Sequence, residues 1–435
     1  MLAAGIILAV TYTGIAVTRL PRLNLDRPSA ALLGAVLMIL AGVLTFQEAV
    51  ASVDFNTLAL LFGMMLLVAV LQRGGFFEVL AARAVAVANS PSKLLTSVVV
   101  VTAVASALLV NDVVVLLFTP VVIQACRLQR VNPAPYLIGE AMASNIGSTA
   151  TIVGNPQNML IGVTSGISFA RFFVYLAPVA IVGTLILLGV LWLFYRRKLA
   201  SEEMTPPGAL LPGVSGSLPA RTAVIVLPAA SASPVDTRML ARVLPVLGLV
   251  TAAFFFSSLI GLSIPMIALV AGTVAMLLSG IRPTEVMRSV DWVLLLFFAG
   301  LFVVIGGARQ AGLLDLLLQR VDLSVSAGGI LSMHLFSAIV SQLVSNVPLT
   351  MLVLPLLQHA PGDVLWISLA AGATLGGNAT LIGAVANLIV VEQAYREGVI
   401  VRFGEFLKVG VVVTALTLAA SVGILLLEFN LGLLR

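Results

Sequence analysis

Ala107-Leu108-Leu109-Val110-Asn111-Asp112-Val113-Val114-Val115-Leu116-Leu117-Phe118-Thr119-Pro120 and Ser341-Gln342-Leu343-Val344-Ser345-Asn346-Val347-Pro348-Leu349-Thr350-Met351-Leu352-Val353-Leu354-Pro355 are one unit written twice. In each, an apolar run stops at Asn, a second apolar run follows, and Pro sits nine residues after the Asn. Each copy is followed by a second matching block. Ala150-Thr151-Ile152-Val153-Gly154 precedes Asn158, and Ala379-Thr380-Leu381-Ile382-Gly383 precedes Asn387. Polar breaks recurring inside apolar segments in both halves of a membrane protein point to a transporter's binding site.

Composition sets the class. The chain of 435 residues is 60% apolar and 9% charged, with a mean hydropathy of +1.16. A soluble domain carries about 25% charged residues. So much apolar surface must face lipid, and runs of about 20 apolar residues are long enough to span it as helices. A transmembrane β-barrel would need alternating apolar and polar residues. The net charge of +5 is spread over short loops and is no nucleic-acid patch. The single Cys126 forms no internal disulfide. Met1 to Val17 reads as a first membrane helix, because no basic segment precedes it.

The reading is an all-α polytopic membrane protein of two inverted repeats. Residues 1–198 form the first repeat, 199–240 a flexible cytoplasmic linker rich in Pro, Gly and Ser, and 241–435 the second. The segments at about 94–126 and 328–358 are too long for one crossing, and each is split by its Asn. Both are expected to be re-entrant helical hairpins with Asn at the tip. Such exposed backbone is tolerated at membrane depth only where protein or a water-filled cavity satisfies it. The segments at about 135–162 and 364–395 are expected to be broken transmembrane helices. Gly75–Asn89 and Gly312–Val321 read as interfacial amphipathic helices.

With both hairpins returning to their own side, nineteen of the 23 Lys and Arg fall on one face. The other four are Arg171, Arg309, Arg320 and Arg435. The crowded face is cytoplasmic by the positive-inside rule. The chain is therefore expected in the inner (plasma) membrane, with both termini outside.

Candidate binding residues are the polar groups at the breaks. They are Asn111 and Asp112 at the first tip, and Asn145, Ser148, Thr149, Thr151, Asn155 and Asn158 in the first broken helix. Repeat two contributes Asn346 at its tip, and Asn378, Thr380 and Asn387. Helix capping accounts for a lone Asn, and small-residue helix packing accounts for Gly and Ala. Neither accounts for clustered Asn and Thr, each of which must find partners at membrane depth. Asp112 and Glu140 are the candidate coupling residues, since acids at such depth are costly. No Lys or Arg falls in either broken region. His334 and His359 lack neighbours at ligand spacing, so no metal is expected. No cofactor is expected either, and the ATP-binding phosphate loop is absent.

Asn111-Asp112 with Pro120, followed by Ser144-Asn145-Ile146-Gly147 and Gly154-Asn155-Pro156-Gln157-Asn158, resembles the ion transporter superfamily. That group includes the arsenical pump, the NhaD antiporters, the P protein of melanosomes and the divalent anion:sodium symporters. The likeness spans nearly the whole chain. Gly154-Asn155-Pro156-Gln157-Asn158 is most similar to the plant-type silicon efflux transporters and their bacterial relatives. Other branches commonly carry Asp-Pro-Pro at Asn155-Pro156-Gln157, and the symporters' Ser-Asn-Thr signature is replaced by Val110-Asn111-Asp112 and Ser345-Asn346-Val347. The resemblance implies an inverted-repeat carrier of the elevator type and makes a homodimer a reasonable expectation.

The expected function is secondary active transport, H⁺- or Na⁺-coupled, by alternating access. Efflux of a small neutral metalloid hydroxide, arsenous or silicic acid, comes first, because Asn, Thr and Ser can bond hydroxyls without a counter-charge. An inorganic or organic anion carrier and a Na⁺/H⁺ antiporter are the alternatives. The expected partners are the bilayer, the solute or ion and, as in some arsenical systems, a separate ATPase. An intramembrane enzyme lacks its nucleophile–base pair here. A passive channel fits paired, inverted breaks less well.

Overall fold

The computed structural model describes residues 1–16, 26–86, 88–201, 235–313, 324–358 and 360–434. The described residues are helical, with no strand among them. Repeat one comprises α1 (Leu2–Ala16), α2 (Arg27–Leu40), α3 (Phe46–Ala51), α4 (Phe55–Arg73), α5 (Phe76–Ala86), α6 (Pro91–Leu108), α7 (Asn111–Leu128), α8 (Ala134–Ser148), α9 (Pro156–Ser165) and α10 (Phe169–Ser201). Repeat two comprises α11 (Thr237–Phe255), α12 (Ser257–Ile260), α13 (Ile264–Leu278), α14 (Pro283–Arg288), α15 (Trp292–Gln310), α16 (Ala327–Val344), α17 (Asn346–Leu357), α18 (Val364–Gly376), α19 (Val385–Arg396) and α20 (Phe403–Asn430). Among the described residues, eight helices are long and apolar enough to cross a membrane. The amphipathic segment expected at Gly75–Asn89 is α5. Most of its expected counterpart, and most of the linker, lie outside the described residues.

Helix packing repeats across the two halves. α4 packs on α13, and α15 on α2; α6 packs on α8, and α16 on α18. The long helices α10 and α20 pack on each other. Small residues bring these pairs close. A β-carbon added at Gly147 of α8 would meet the Ala103 carbonyl of α6 at 2.1 Å, and one added at Gly376 of α18 would meet Ala338 of α16 at 2.6 Å. Backbones approaching so closely gain dispersion contact that lipid cannot supply.

The hairpins double back. Gly300 lies against Ala31, Gly34 against Val304, and Gly307 against Met38, so α2 and α15 run parallel. In a chain that alternates direction at each crossing, parallel helices are separated by an odd number of crossings. α4, the broken helix α8–α9, α10, α11 and α13 supply that number only if hairpin one returns to its own side. α6 and α7 also pack directly on each other, as do α16 and α17.

The core sits at the broken helices. Every residue of α8 and every residue of α18 is buried. That explains their lack of a polar face, since a helix surrounded by protein has no solvent side.

Candidate functional site

Both hairpin tips and both breaks meet at the centre of the molecule. Asn111 is the first residue of α7, and Val110 occupies the cap position without a side-chain bond. The same holds in α17, where Asn346 follows Ser345. The tip asparagines therefore are not helix caps. Asn111 Nδ2 instead donates to Asn145 Oδ1 at 3.2 Å. Asn145 Nδ2 donates to Asn378 Oδ1 at 2.9 Å and to Asn387 Oδ1 at 3.0 Å. One buried asparagine of repeat one thus joins its own hairpin to the broken helix of repeat two.

The reciprocal contact is made by Thr374, which occupies the place of Asn145 in the second copy. Its Oγ1 accepts from Asn155 Nδ2 at 3.5 Å and Gln157 Nε2 at 3.3 Å. Asn155 Nδ2 also donates to Ser148 Oγ at 2.9 Å. Asn155 does cap a helix, accepting from the Asn158 N–H at the start of α9.

Beneath these bonds, the breaks are held open by matched amides. Asn158 Nδ2 donates to the carbonyls of Ser148 and Thr151 at 3.1 and 3.0 Å. Asn387 Nδ2 does the same to Gly377 and Thr380 at 2.8 and 3.0 Å. In each copy the amide replaces backbone donors lost where the helix stops, an obligation at membrane depth. Thr151 Oγ1 reaches hairpin one at the Ala107 carbonyl, 2.6 Å away. In repeat two, Gln342 fills the gap: Thr380 Oγ1 donates to its Oε1 at 3.0 Å, and its Nε2 donates to the Gly376 carbonyl at 2.8 Å. Ser148 and Thr149 hydroxyls bond back to the Asn145 carbonyl at 2.9 and 3.0 Å.

Three candidates stand apart from this network. Asn346 is buried, and its Oδ1 has no hydrogen-bond partner. Asp112 is half-buried at its tip. The Arg27 guanidinium and the Asp291 carboxylate, at the starts of α2 and α15, are near enough to act on its charge. Glu140, fully buried on α8, accepts from Thr119 Oγ1 at 2.9 Å, while its Oε2 is bare. Thr374, Gln157, Gln342 and Thr119 complete these contacts without having been singled out. Aligning the two copies would have flagged Thr374 opposite Asn145.

A cleft of about 700 Å³ lies beside hairpin two, between α3, α4 and α15 on one wall and α9 and α17 on the other. Glu48, Asn56, Thr164, Arg309 and Gln358 give it polar groups. His334 is a structural residue: its ring nitrogens bond the Ile330 carbonyl at 2.8 Å and Ser421 Oγ at 3.0 Å. Among the described residues no group of His, Cys, Asp and Glu could hold a metal.

Residues 12–372 match the CitMHS family, described as citrate transporters. The chain belongs to that family. It is 33% identical to an uncharacterised transporter of Mycobacterium tuberculosis over 93% of this chain and 95% of the relative. It is 31% identical to a 46 kDa membrane protein of Mycobacterium leprae, again over 95% of each. The human P protein is 29% identical over 88% of this chain, which spans 55% of that longer relative. The fold is shared with the YdaH transporter of Alcanivorax borkumensis, at a TM-score of 0.60 and 15% identity over 99% of this chain and 97% of that one. Like its family, this CitMHS member is a multi-pass membrane transporter, not an enzyme. The link drawn from sequence to the silicon and arsenical branches is finer than these relationships.

Proposed function

We propose that this CitMHS protein is a proton- or sodium-coupled secondary carrier that exports a small, neutral, hydroxylated solute such as arsenous or silicic acid. The observation that carries this reading is the amide and hydroxyl network of Asn111, Asn145, Asn155, Asn378 and Asn387. It joins both repeats and contains no Lys or Arg. Such a lining offers donors and acceptors to hydroxyl groups and no counter-charge to a multiply charged anion. Asn346, with a bare Oδ1, and the Asn158 and Asn387 clamps complete the site; Ser148, Thr149, Thr151 and Thr380 hold its backbone. Asp112 carries the coupling ion, and Glu140 is the second acid available to it.

In this reading residues 1–198 and 241–435 are the inverted repeats, and residues 199–240 are a cytoplasmic linker. Both termini face outside the inner membrane. The nineteen-to-four division of basic residues supports that orientation, and the parallel packing of α2 with α15 supports the hairpin count on which the division rests. The carrier works as a homodimer. The ion gradient supplies the work, with a separate ATPase as the other source.

A second reading is transport of a carboxylate or other anion, favoured by the family's description and by the uncapped first turn of α17. Free N–H groups at a broken helix attract oxyanions. The test is flux into proteoliposomes across arsenite, silicic acid, citrate, succinate, sulfate and Na⁺, with and without imposed pH and Na⁺ gradients. Uptake of the two neutral hydroxides supports the first reading. Gradient-driven citrate flux without them replaces it by the second.

A further inference from the structure

The two hairpin tips share their Asn and differ in how they are held. Tip one is seated. Val110 has ordinary extended geometry, φ −65° and ψ 118°. The Asn111 N–H donates to the Gly154 carbonyl at 2.8 Å, and the Asn111 amide reaches Asn145, leaving only its Oδ1 bare. Tip two is strained. Ser345 has φ 69° and ψ 162°, a region populated almost only by glycine, where a residue with a β-carbon costs about 1–3 kcal/mol. Asn346 Oδ1 and Thr350 Oγ1 are buried without partners.

Both hairpins border cavities. α7 borders a void of about 10 Å³ among Phe118, Val121 and Ala125. α17 lines the cleft of about 700 Å³ through Met351, Leu354, Pro355 and Gln358. Hairpin two therefore has open space beside the end of α17 away from its tip.

One side chain from outside holds the second tip. Tyr12 of α1 donates its hydroxyl to the Pro348 carbonyl at 2.8 Å. α1 packs on α2 and α15 as well as on α16, so this bond ties the tip to helices beyond the hairpin.

We propose that hairpin two is the gate of the central site and that Tyr12 is the positioning residue that keeps its tip seated. Backbone strain at Ser345 favours release, and the Tyr12 hydroxyl opposes it. The proposal deepens the carrier reading, but its test needs no transported solute. A failed flux panel and a failed gate are therefore distinguishable.

The experiment uses full-length protein carrying Cys126→Ser and a single reporter, either Val347→Cys at tip two or Val113→Cys at tip one. Each is labelled with a maleimide, with and without Tyr12→Phe. Tyr175→Phe, which removes another phenol-to-carbonyl bond at Leu433, is the control. Tyr12→Phe should speed labelling at Val347→Cys about fivefold, the effect of one net hydrogen bond, and leave Val113→Cys unchanged. Tyr175→Phe should alter neither. An unchanged rate at Val347→Cys, or an equal rise at both reporters, overturns the gate. The strain is tested separately by comparing Ser345→Gly with Ser345→Ala. The glycine variant should melt at the higher temperature, reversing the usual order of those residues. A higher melting temperature for the alanine variant overturns the strain argument.

Discussion

Asn145 uses both faces of its amide: the oxygen accepts from Asn111, and the nitrogen donates to Asn378 and Asn387. Asn145→Ala would strand three buried groups, each at a cost of about 1–3 kcal/mol. Its melting temperature should fall well below wild type. Asn346→Ala removes a group whose Oδ1 has no partner, so it should fold normally while losing most flux. An Asn346→Ala protein with full flux would take that residue out of the site. Asp112→Asn keeps shape and bonding but cannot release a proton. It should still exchange solute down a gradient and fail to concentrate it when a pH or Na⁺ gradient is imposed. Concentration by this variant would transfer the coupling role to Glu140. The asparagines were legible in the sequence because polar residues inside apolar runs demand partners. Their partners were not, because Asn145 and Asn378 are distant along the chain and meet only when the repeats interlock.

At the scale of elements, glycine decides how closely helices approach. Gly147→Leu would drive a side chain into the Ala103 carbonyl of α6 and should abolish expression of folded protein. Gly189, on α10, has nothing within 4 Å of an added β-carbon, so Gly189→Ala should be expressed and melt as wild type does. The first turn of α3 carries a pH-sensitive element. Glu48 is held below its usual pKa by the Thr45 N–H and hydroxyl and by Gln310. A depressed carboxylate contributes stability that is present above its unfolded pKa and lost as pH falls through the folded one. Glu48→Gln should therefore narrow the difference in melting temperature between pH 7 and acid conditions. A wild-type acid response in Glu48→Gln would show that this capping box plays no part. The hairpins and breaks were readable from Asn, Gly and Pro placement. The short helices α3, α12 and α14 were not, because each is too short to show a period.

Across the whole molecule, two ion pairs fasten one repeat to the other. Arg127, ending α7, pairs with Glu397 after α19 at 2.9 Å, and also donates to the Glu397 carbonyl. Arg171, beginning α10, pairs with Asp363 before α18 at 2.6 Å. The charges are exchanged between the two ends. An exposed pair such as Arg127–Glu397 contributes little stability. If hairpins and broken helices travel together, joining Arg127→Cys to Glu397→Cys by a disulfide in a Cys126→Ser background should leave flux intact. Lost flux on oxidation, restored by reductant, would place the two on bodies that move apart. Orientation has its own test. Single cysteines at Ser217 and the exposed Leu433 in a Cys126→Ser background should divide in intact cells, with an impermeant maleimide reaching Leu433 and not Ser217. The reverse pattern would invert the topology.

The sequence by itself determined that this chain lives in lipid, that it is built from two related halves, and where each half breaks. Those properties follow from hydropathy, helix length and the backbone's need for partners, all local quantities. Tertiary structure alone decided which polar groups meet, that the tip asparagines bond across rather than cap, and that Thr374 answers Asn145 from the other repeat. It also decided that two tips built around the same Asn differ, one seated and one strained. Inverted repeats place related local chemistry in surroundings that need not be the same. Only the packed molecule shows Tyr12 beside one tip and open space beside the same hairpin.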